Sequence, residues 1–148
     1  MKIDSPVLLD TNILVYATNK ASPYFKQAKK IRDSAANGKI TAFITHQVLL
    51  EFYAIITDKR RIPRPLSIQD AAQEMSVYSS LHTIGILLPS PSTYSKALDL
   101  CTRYNLSAQE IYDAYLIATA LDSQITYIIS GDTGMKRFRE ITVINPFE

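Results

Sequence analysis

The chain has 148 residues, 47 % of them hydrophobic and 20 % charged, which suits one ordinary domain whose core needs no covalent staples. Sixteen Lys+Arg against fourteen Asp+Glu leave a net charge of +2, too weak a bias to announce nucleic acid except through a local patch. A single cysteine, Cys101, excludes an internal disulfide, a multi-cysteine zinc site and an iron–sulfur cluster, and the four glycines spell neither a dinucleotide-binding nor a Walker loop.

Short apolar runs alternate with helical patterns, which predicts one α/β domain over residues 1–148 with a mostly parallel sheet. Val7-Leu8-Leu9 is a short buried strand that stops at Asp10, and Thr11 to Thr18 reads as a helix. Residues 23–36 form an amphipathic helix ending near Asn37-Gly38. Ile40 to Ile44 is the second strand, and Thr45 caps a helix to about Asp58. Residues 61–65 are a connector, and Ser67 with Asp70 resembles a capping box opening a helix to about Leu81. Thr83 to Leu88 is the third strand. Ser90-Pro91 reads as an N-cap with proline at the first helical position, for a helix to about Tyr104. Ser107 and Glu110 form a capping box for a helix to Asp122. Thr126 to Ile129 and Ile141 to Ile144 complete the strands. Residues 75–95 carry no Asp, Glu, Lys or Arg, but Pro89, Pro91 and many Ser/Thr argue against a membrane span. Asp4 and Asp10 interrupt any apolar leader, so a reduced, cytoplasmic protein is expected.

The chemistry follows from where the acids fall. Asp10 ends the first strand, and Ser130-Gly131-Asp132 follows Tyr127-Ile128-Ile129. Ligands of parallel α/β sheets bind outside the carboxyl ends of the strands, although an Asp placed there also caps the next helix. Asp113 shares a helix face with Leu116 and Ile117, where an unpaired carboxylate is costly. With Ser107 and Glu110 as caps, it falls in the second turn rather than the first. Glu51 is the only acid between Val48 and Ile56; an amphipathic helix with one solvated stripe gives the same pattern. Like-charged carboxylates sharing a site repel unless a cation neutralises them. Oxygen ligands alone select a hard ion, Mg²⁺ or Mn²⁺, which suits metal-assisted phosphodiester hydrolysis.

These residues resemble a known family. Leu8-Leu9-Asp10-Thr11-Asn12-Ile13-Leu14-Val15-Tyr16, then Glu51, then Asp113-Ala114-Tyr115-Leu116-Ile117-Ala118-Thr119-Ala120, then Ser130-Gly131-Asp132 with Phe138 behind it, are similar to the PIN-domain family, in particular to the VapC-type toxins of bacterial toxin–antitoxin pairs. The resemblance covers nearly the whole chain. It implies a three-layer fold with a five-stranded parallel sheet flanked by helices, and a Mg²⁺- or Mn²⁺-dependent ribonuclease. It also implies RNA as substrate and a small antitoxin as partner; the uncharged 75–95 region and the helix at 46–57 offer apolar surface for that partner or for a homodimer. Family positions carry over as Asp10, Glu51, Asp113 and Asp132 around the metal, Asn12 as a residue orienting the acids, and Ser130 as a nearby hydroxyl. The run Gly131-Asp132-Thr133-Gly134-Met135 is more glycine-rich than the family's usual form, which leaves the ligation by Asp132 open. Glu110 is an additional candidate acid beside its capping role.

A substrate face needs cations. Lys26, Lys29, Lys30 and Arg32 form one cluster, and Lys59, Arg60, Arg61 and Arg64 a second. Lys136, Arg137 and Arg139, just after Asp132, are the best placed for RNA. Tyr16, Tyr53 and Tyr115 are candidates for stacking on bases, or simply core. His46 and His82 lack ligand spacing, and Cys101 reads as a buried small hydrophobe. An aspartyl-phosphate phosphatase would need an acid where Asn12 stands, and a receiver domain an acceptor where the third strand ends in Leu87-Leu88-Pro89. The alternative that remains is a catalytically idle PIN-like module that binds RNA or protein.

Overall fold

The computed structural model describes residues 3–148. Five strands, β1 (Val7–Leu9), β2 (Ala42–Thr45), β3 (Ile84–Leu87), β4 (Tyr127–Ile129) and β5 (Thr142–Ile144), form one sheet in the order β3-β2-β1-β4-β5, every pairing parallel. Parallel neighbours need crossovers, and six helices supply them. These are α1 (Thr11–Thr18), α2 (Phe25–Ala36), α3 (His46–Ile56), α4 (Ile68–Ser80), α5 (Thr93–Tyr104) and α6 (Glu110–Asp122). Val7, Leu8 and Leu9 are all fully buried. Successive strand residues face opposite sides, so both faces of the sheet are covered, as three layers require. The core runs from these residues through Ile13, Leu14, Phe52, Ile117 and Ile128 to Phe138.

The chain fills the sheet outward from β1 to β3, then crosses back to lay β4 and β5 on the other side of β1. The direction of filling therefore reverses between β1 and β4. Such a switch point opens a crevice at the carboxyl ends of the two strands, because their connections leave in opposite directions.

Local chemistry explains most element ends. Thr45 Oγ1 accepts from the Val48 N–H at 3.1 Å and Ser67 Oγ from the Asp70 N–H at 3.1 Å, both as expected of N-caps. Gly38, at φ +68°, closes α2 in a left-handed turn that L side chains disfavour. The Lys39 and Ile40 amides are still engaged by Ser34 O there, so β2 begins at Ala42 instead of Ile40. Three further boundaries differ from the pattern. Residues 23 and 24 lie outside α2, which starts at Phe25 without a side-chain cap. α5 begins at Thr93, not at Pro91: the Ser90 N–H donates to Thr93 Oγ1 at 2.9 Å in a turn that precedes the helix. α6 begins at Glu110, because Ala108 sits in the left-handed region at φ 52° and no helix passes through it. Only the acid half of that capping box forms, with the Ser107 N–H donating to Glu110 Oε2 at 2.8 Å. A 3₁₀-helix at Thr133–Arg137 was not legible in the pattern.

Candidate active site

Asp10 is where β1 turns into α1. Its backbone is extended, its Oδ1 accepts from the Thr11 N–H at 2.7 Å, and it thereby caps the helix that follows. Leu9 lies opposite Ile129 in register, so Asp10 and Ser130 leave neighbouring strands at the same level. Ser130 Oγ donates to Asp10 Oδ2 at 2.6 Å, and Asn12 Nδ2 donates to the same oxygen at 2.9 Å. Asn12 Oδ1 accepts from the Gly131 N–H at 2.9 Å, and Ser130 Oγ accepts from the Asp132 N–H at 3.0 Å. Asn12 and Ser130 thus fasten the two strand ends to each other around one carboxylate.

The other acids come from separate elements. Packing of α1 against α3 brings Thr11 Oγ1 to Glu51 Oε2 at 2.8 Å, while Gln47 Nε2 donates to Glu51 Oε1 at 3.2 Å. Asp113 stands in the first turn of α6, not the second, since the helix starts at Glu110. Arg137 Nη2 donates to its Oδ2 at 2.9 Å. Asp132 caps the 3₁₀-helix, its Oδ1 accepting from the Gly134 N–H at 2.8 Å. Asp10, Glu51, Asp113 and Asp132 line a single cleft of about 430 Å³ together with Asn12, Tyr16, Arg61 and Met135. The cleft lies at the switch point of the sheet.

Burial and mutual repulsion set the electrostatics. Asp10 is 5 % exposed. Burial pushes its carboxyl up to about 6, against the hydrogen bonds from Ser130 and Thr11, and the charges of Glu51 and Asp113 add to the rise. Asp113 is raised as well, first by burial, with Arg137 pulling the other way and the charges of Asp132 and Glu51 adding to the rise. Tyr16 is raised by burial and by Tyr24, Asp10 and Asp132. The cleft therefore carries more negative charge than its surroundings offset.

That donor set fits a hard divalent cation: oxygen only, acidic, and partly desolvated. Among the described residues, however, no three acidic, histidine or cysteine side chains converge on one point as they stand. Two of the four acids are engaged locally instead. Asp113 Oδ2 is engaged by Arg137, and Asp132 Oδ1 by its own helix turn.

The remaining candidates scatter. Glu110 is exposed and bonded to Ser107, one turn before Asp113. Lys136 pairs with Glu148 at 2.8 Å, Arg137 pairs with Asp113 of the cleft, and Arg139 is exposed, so the three basic residues do not present one face. Of the tyrosines singled out, Tyr16 lines the acid cleft and Tyr115 a neighbouring groove. His46 opens α3, and His82 lies exposed before β3. Cys101 is half-buried against the edge of the core rather than inside it. Sequence reasoning gave Thr11 no role of its own and named Arg61 only as one member of a basic cluster. Thr11 was visible only as the middle of Asp10-Thr11-Asn12, and Arg61 was hidden in a run of four charges.

Beside the cleft runs a larger, mostly apolar groove of about 820 Å³ between α3 and α6. Leu50 (69 % exposed), Tyr94 and Tyr112 line it, and Glu51 belongs to both cavities. Among the described residues no helix is long and apolar enough to cross a membrane.

Comparison with known proteins agrees with this architecture. A sequence profile described as the PIN domain matches residues 7–141. A VapC ribonuclease of Mycobacterium bovis is 26 % identical over 140 residues, covering 95 % of each chain. Among solved structures, Mycobacterium tuberculosis VapC20, a toxin that cleaves the sarcin–ricin loop, superposes with a TM-score of 0.66 at 17 % identity, over 91 % of this chain and 98 % of its own. A toxin–antitoxin complex from Klebsiella pneumoniae gives a TM-score of 0.60 at 23 % identity, over 96 % of this chain and 98 % of that one.

Proposed function

Because this chain belongs to the PIN-domain family, we propose that it is a divalent-metal-dependent endoribonuclease and the toxin of a toxin–antitoxin pair. The observation that carries the reading is the convergence of Asp10, Glu51, Asp113 and Asp132 on one cleft at the switch point of the sheet. These four acids would hold the ion, Mg²⁺ or Mn²⁺. When bound, such an ion polarises a phosphoryl oxygen and makes water a nucleophile near neutral pH. The chain's own groups do the rest. Ser130 and Asn12 fix Asp10, and Thr11 fixes Glu51, so two carboxylates are oriented before any ligand arrives. Arg61 in the cleft and Arg139 outside it are positioned to meet RNA phosphates.

Titration of a divalent metal against labelled RNA tests the reading. Cleavage should appear with Mg²⁺ or Mn²⁺, vanish with chelator, and leave 5′-phosphate and 3′-hydroxyl ends. Cleavage that survives chelation, or ends bearing a 2′,3′-cyclic phosphate, would refute the mechanism. Glu110→Gln should leave the metal-induced melting shift intact, since Glu110 serves its helix. At tenfold excess of metal over the dissociation constant that shift is about 1.4 kcal/mol, or roughly 3–6 °C. Loss of the shift in Glu110→Gln would add this residue to the site.

The partner reading rests on the family and on the toxin–antitoxin complex to which the fold is similar. The groove beside Glu51 offers apolar surface for a small antitoxin, and Leu50 and Tyr94 on its walls suit a homodimer as well. The reading also implies a cytoplasmic location, where the RNA is. Expression of this chain by itself should arrest growth, and co-expression of a neighbouring small gene should relieve the arrest. Harmless overexpression of folded protein would count against a toxin.

A further inference from the structure

Arg137 does not lie on the surface with its basic neighbours. Its Nη2 donates to Asp113 Oδ2 at 2.9 Å and its Nη1 to Gly134 O at 3.2 Å, and the guanidinium lies over the Phe138 ring, 4.9 Å from the centroid. Its Nε is buried with no acceptor among the described residues. A buried donor without an acceptor costs free energy, so the guanidinium keeps this place because of Asp113 and in spite of Nε. The 3₁₀-helix that ends in Arg137 is capped by Asp132, so one short segment delivers an acid to the cleft and a cation to Asp113 in its wall. The oxygen that Arg137 occupies is one that an ion in the cleft would need.

We propose that Arg137 is a built-in counter-ion that holds Asp113 in the metal-free protein, and that a divalent cation must displace its guanidinium to recruit that acid. Arg137 is then a positioning residue that sets how tightly the cleft binds its ion. The inference rests on the metal-dependent reading above, and it names the chain's own competitor for the site. Displacement is sterically simple: Gly134 and Phe138 hold the arginine by one carbonyl and one ring face, and the side chain is 30 % exposed.

Manganese affinity, measured by calorimetry in the absence of RNA, tests this. Arg137→Met keeps an apolar stem on Phe138 and removes the guanidinium. It should bind Mn²⁺ about three- to tenfold more tightly than the wild type, the range expected when one half-buried ion pair no longer competes. Arg139→Met removes a nearby exposed charge that bonds to none of the acids, and should change affinity by less than about twofold. In an Asp113→Asn background the gain from Arg137→Met should disappear, because the two residues act on one oxygen. Arg137→Gln repeats the measurement if the methionine variant does not fold. Equal or weaker binding by the Arg137 variants, an equal gain in Arg139→Met, or a gain that survives in Asp113→Asn would each overturn the proposal. If folded wild type and Arg137 variants alike bind no Mn²⁺, the metal reading falls and this one with it. Normal wild-type binding with no gain overturns this proposal alone.

Discussion

Asp10→Asn is expected to lower metal-dependent RNA cleavage by about a hundredfold or more, since loss of a mere outer partner of a metal ligand already costs about ten- to a hundredfold. The same substitution should make the metal-free protein more stable. Asp10 is raised to about 6 from an ordinary value of 3.8. A carboxyl whose folded value is raised binds more protons folded than unfolded, so stability falls as pH rises from about 4 to about 6 and stays low above. The penalty at neutral pH is on the order of 3 kcal/mol. Asparagine removes the charge and its one oxygen can still accept from Asn12 Nδ2 and Ser130 Oγ, but its amide NH₂ then faces the Thr11 N–H that Oδ1 accepted from, which returns about 1 kcal/mol. The net gain of roughly 1–2 kcal/mol corresponds to a melting temperature higher by roughly 3–6 °C at pH 7. The difference between variant and wild type should shrink towards pH 4, where wild-type Asp10 is protonated. Melting curves across that range, with and without Mn²⁺, check both halves. A variant that melts lower than wild type at pH 7 would show that the carboxylate is not under strain, and an unchanged metal shift would remove Asp10 from the site.

Asp122→Ala should do the reverse, with a large loss of stability and no effect on the cleft's response to metal. The Asp122 side chain is 7 % exposed and ends α6 against the start of α5. It accepts from Ser90 Oγ at 2.9 Å, from Thr93 Oγ1 and from Lys96 Nζ. Lys96 and then Thr93 hold its carboxyl down to about 2. Removing the charged acceptor strands the buried Thr93 hydroxyl, while Ser90 and Lys96 turn to water, which costs roughly 1–3 kcal/mol, or about 3–10 °C in melting temperature. The sign with pH is opposite to that of Asp10. A lowered carboxyl contributes stability above its unfolded value near 4, and the contribution disappears as pH falls through about 2. The deficit of Asp122→Ala should therefore be full at pH 7 and vanish near pH 2. A loss below about 0.5 kcal/mol at pH 7 would deny the carboxylate its role in joining the two helices. A lost Mn²⁺ shift would tie it to the cleft instead.

Asp10 and Asp122 are both acids at element ends, and the sequence treats them differently for a local reason. Asp10 follows three consecutive apolar residues, so the strand and its end are legible without any partner. The same local logic identified Thr45 and Ser67 as caps, the apolar settings of Glu51 and Asp113, and the alternation of strands and helices that makes the sheet parallel. Such features repeat over a few residues, where backbone period, capping and desolvation act on near neighbours. Boundaries failed where one residue's backbone decided the matter: Ala108 in the left-handed region moved the start of α6, and with it Asp113 into the first turn.

Each segment alone carries which side chains are acidic, which acids sit among apolar neighbours and which stand at strand ends, because charge and hydropathy pattern are local properties; of the four acids, Asp10 is buried while Glu51 and Asp132 are exposed. Which groups meet is set by the assembled fold. Ser130 reaches Asp10 because Leu9 pairs with Ile129, Thr11 reaches Glu51 because α1 packs on α3, and Arg137 reaches Asp113 because a 3₁₀-helix unreadable in the pattern aims it inward. Asp122 gained its partners from a helix 29 residues away in the chain. Sheet order and register set these encounters, and they depend on the summed packing of the whole core, which no local window of residues contains.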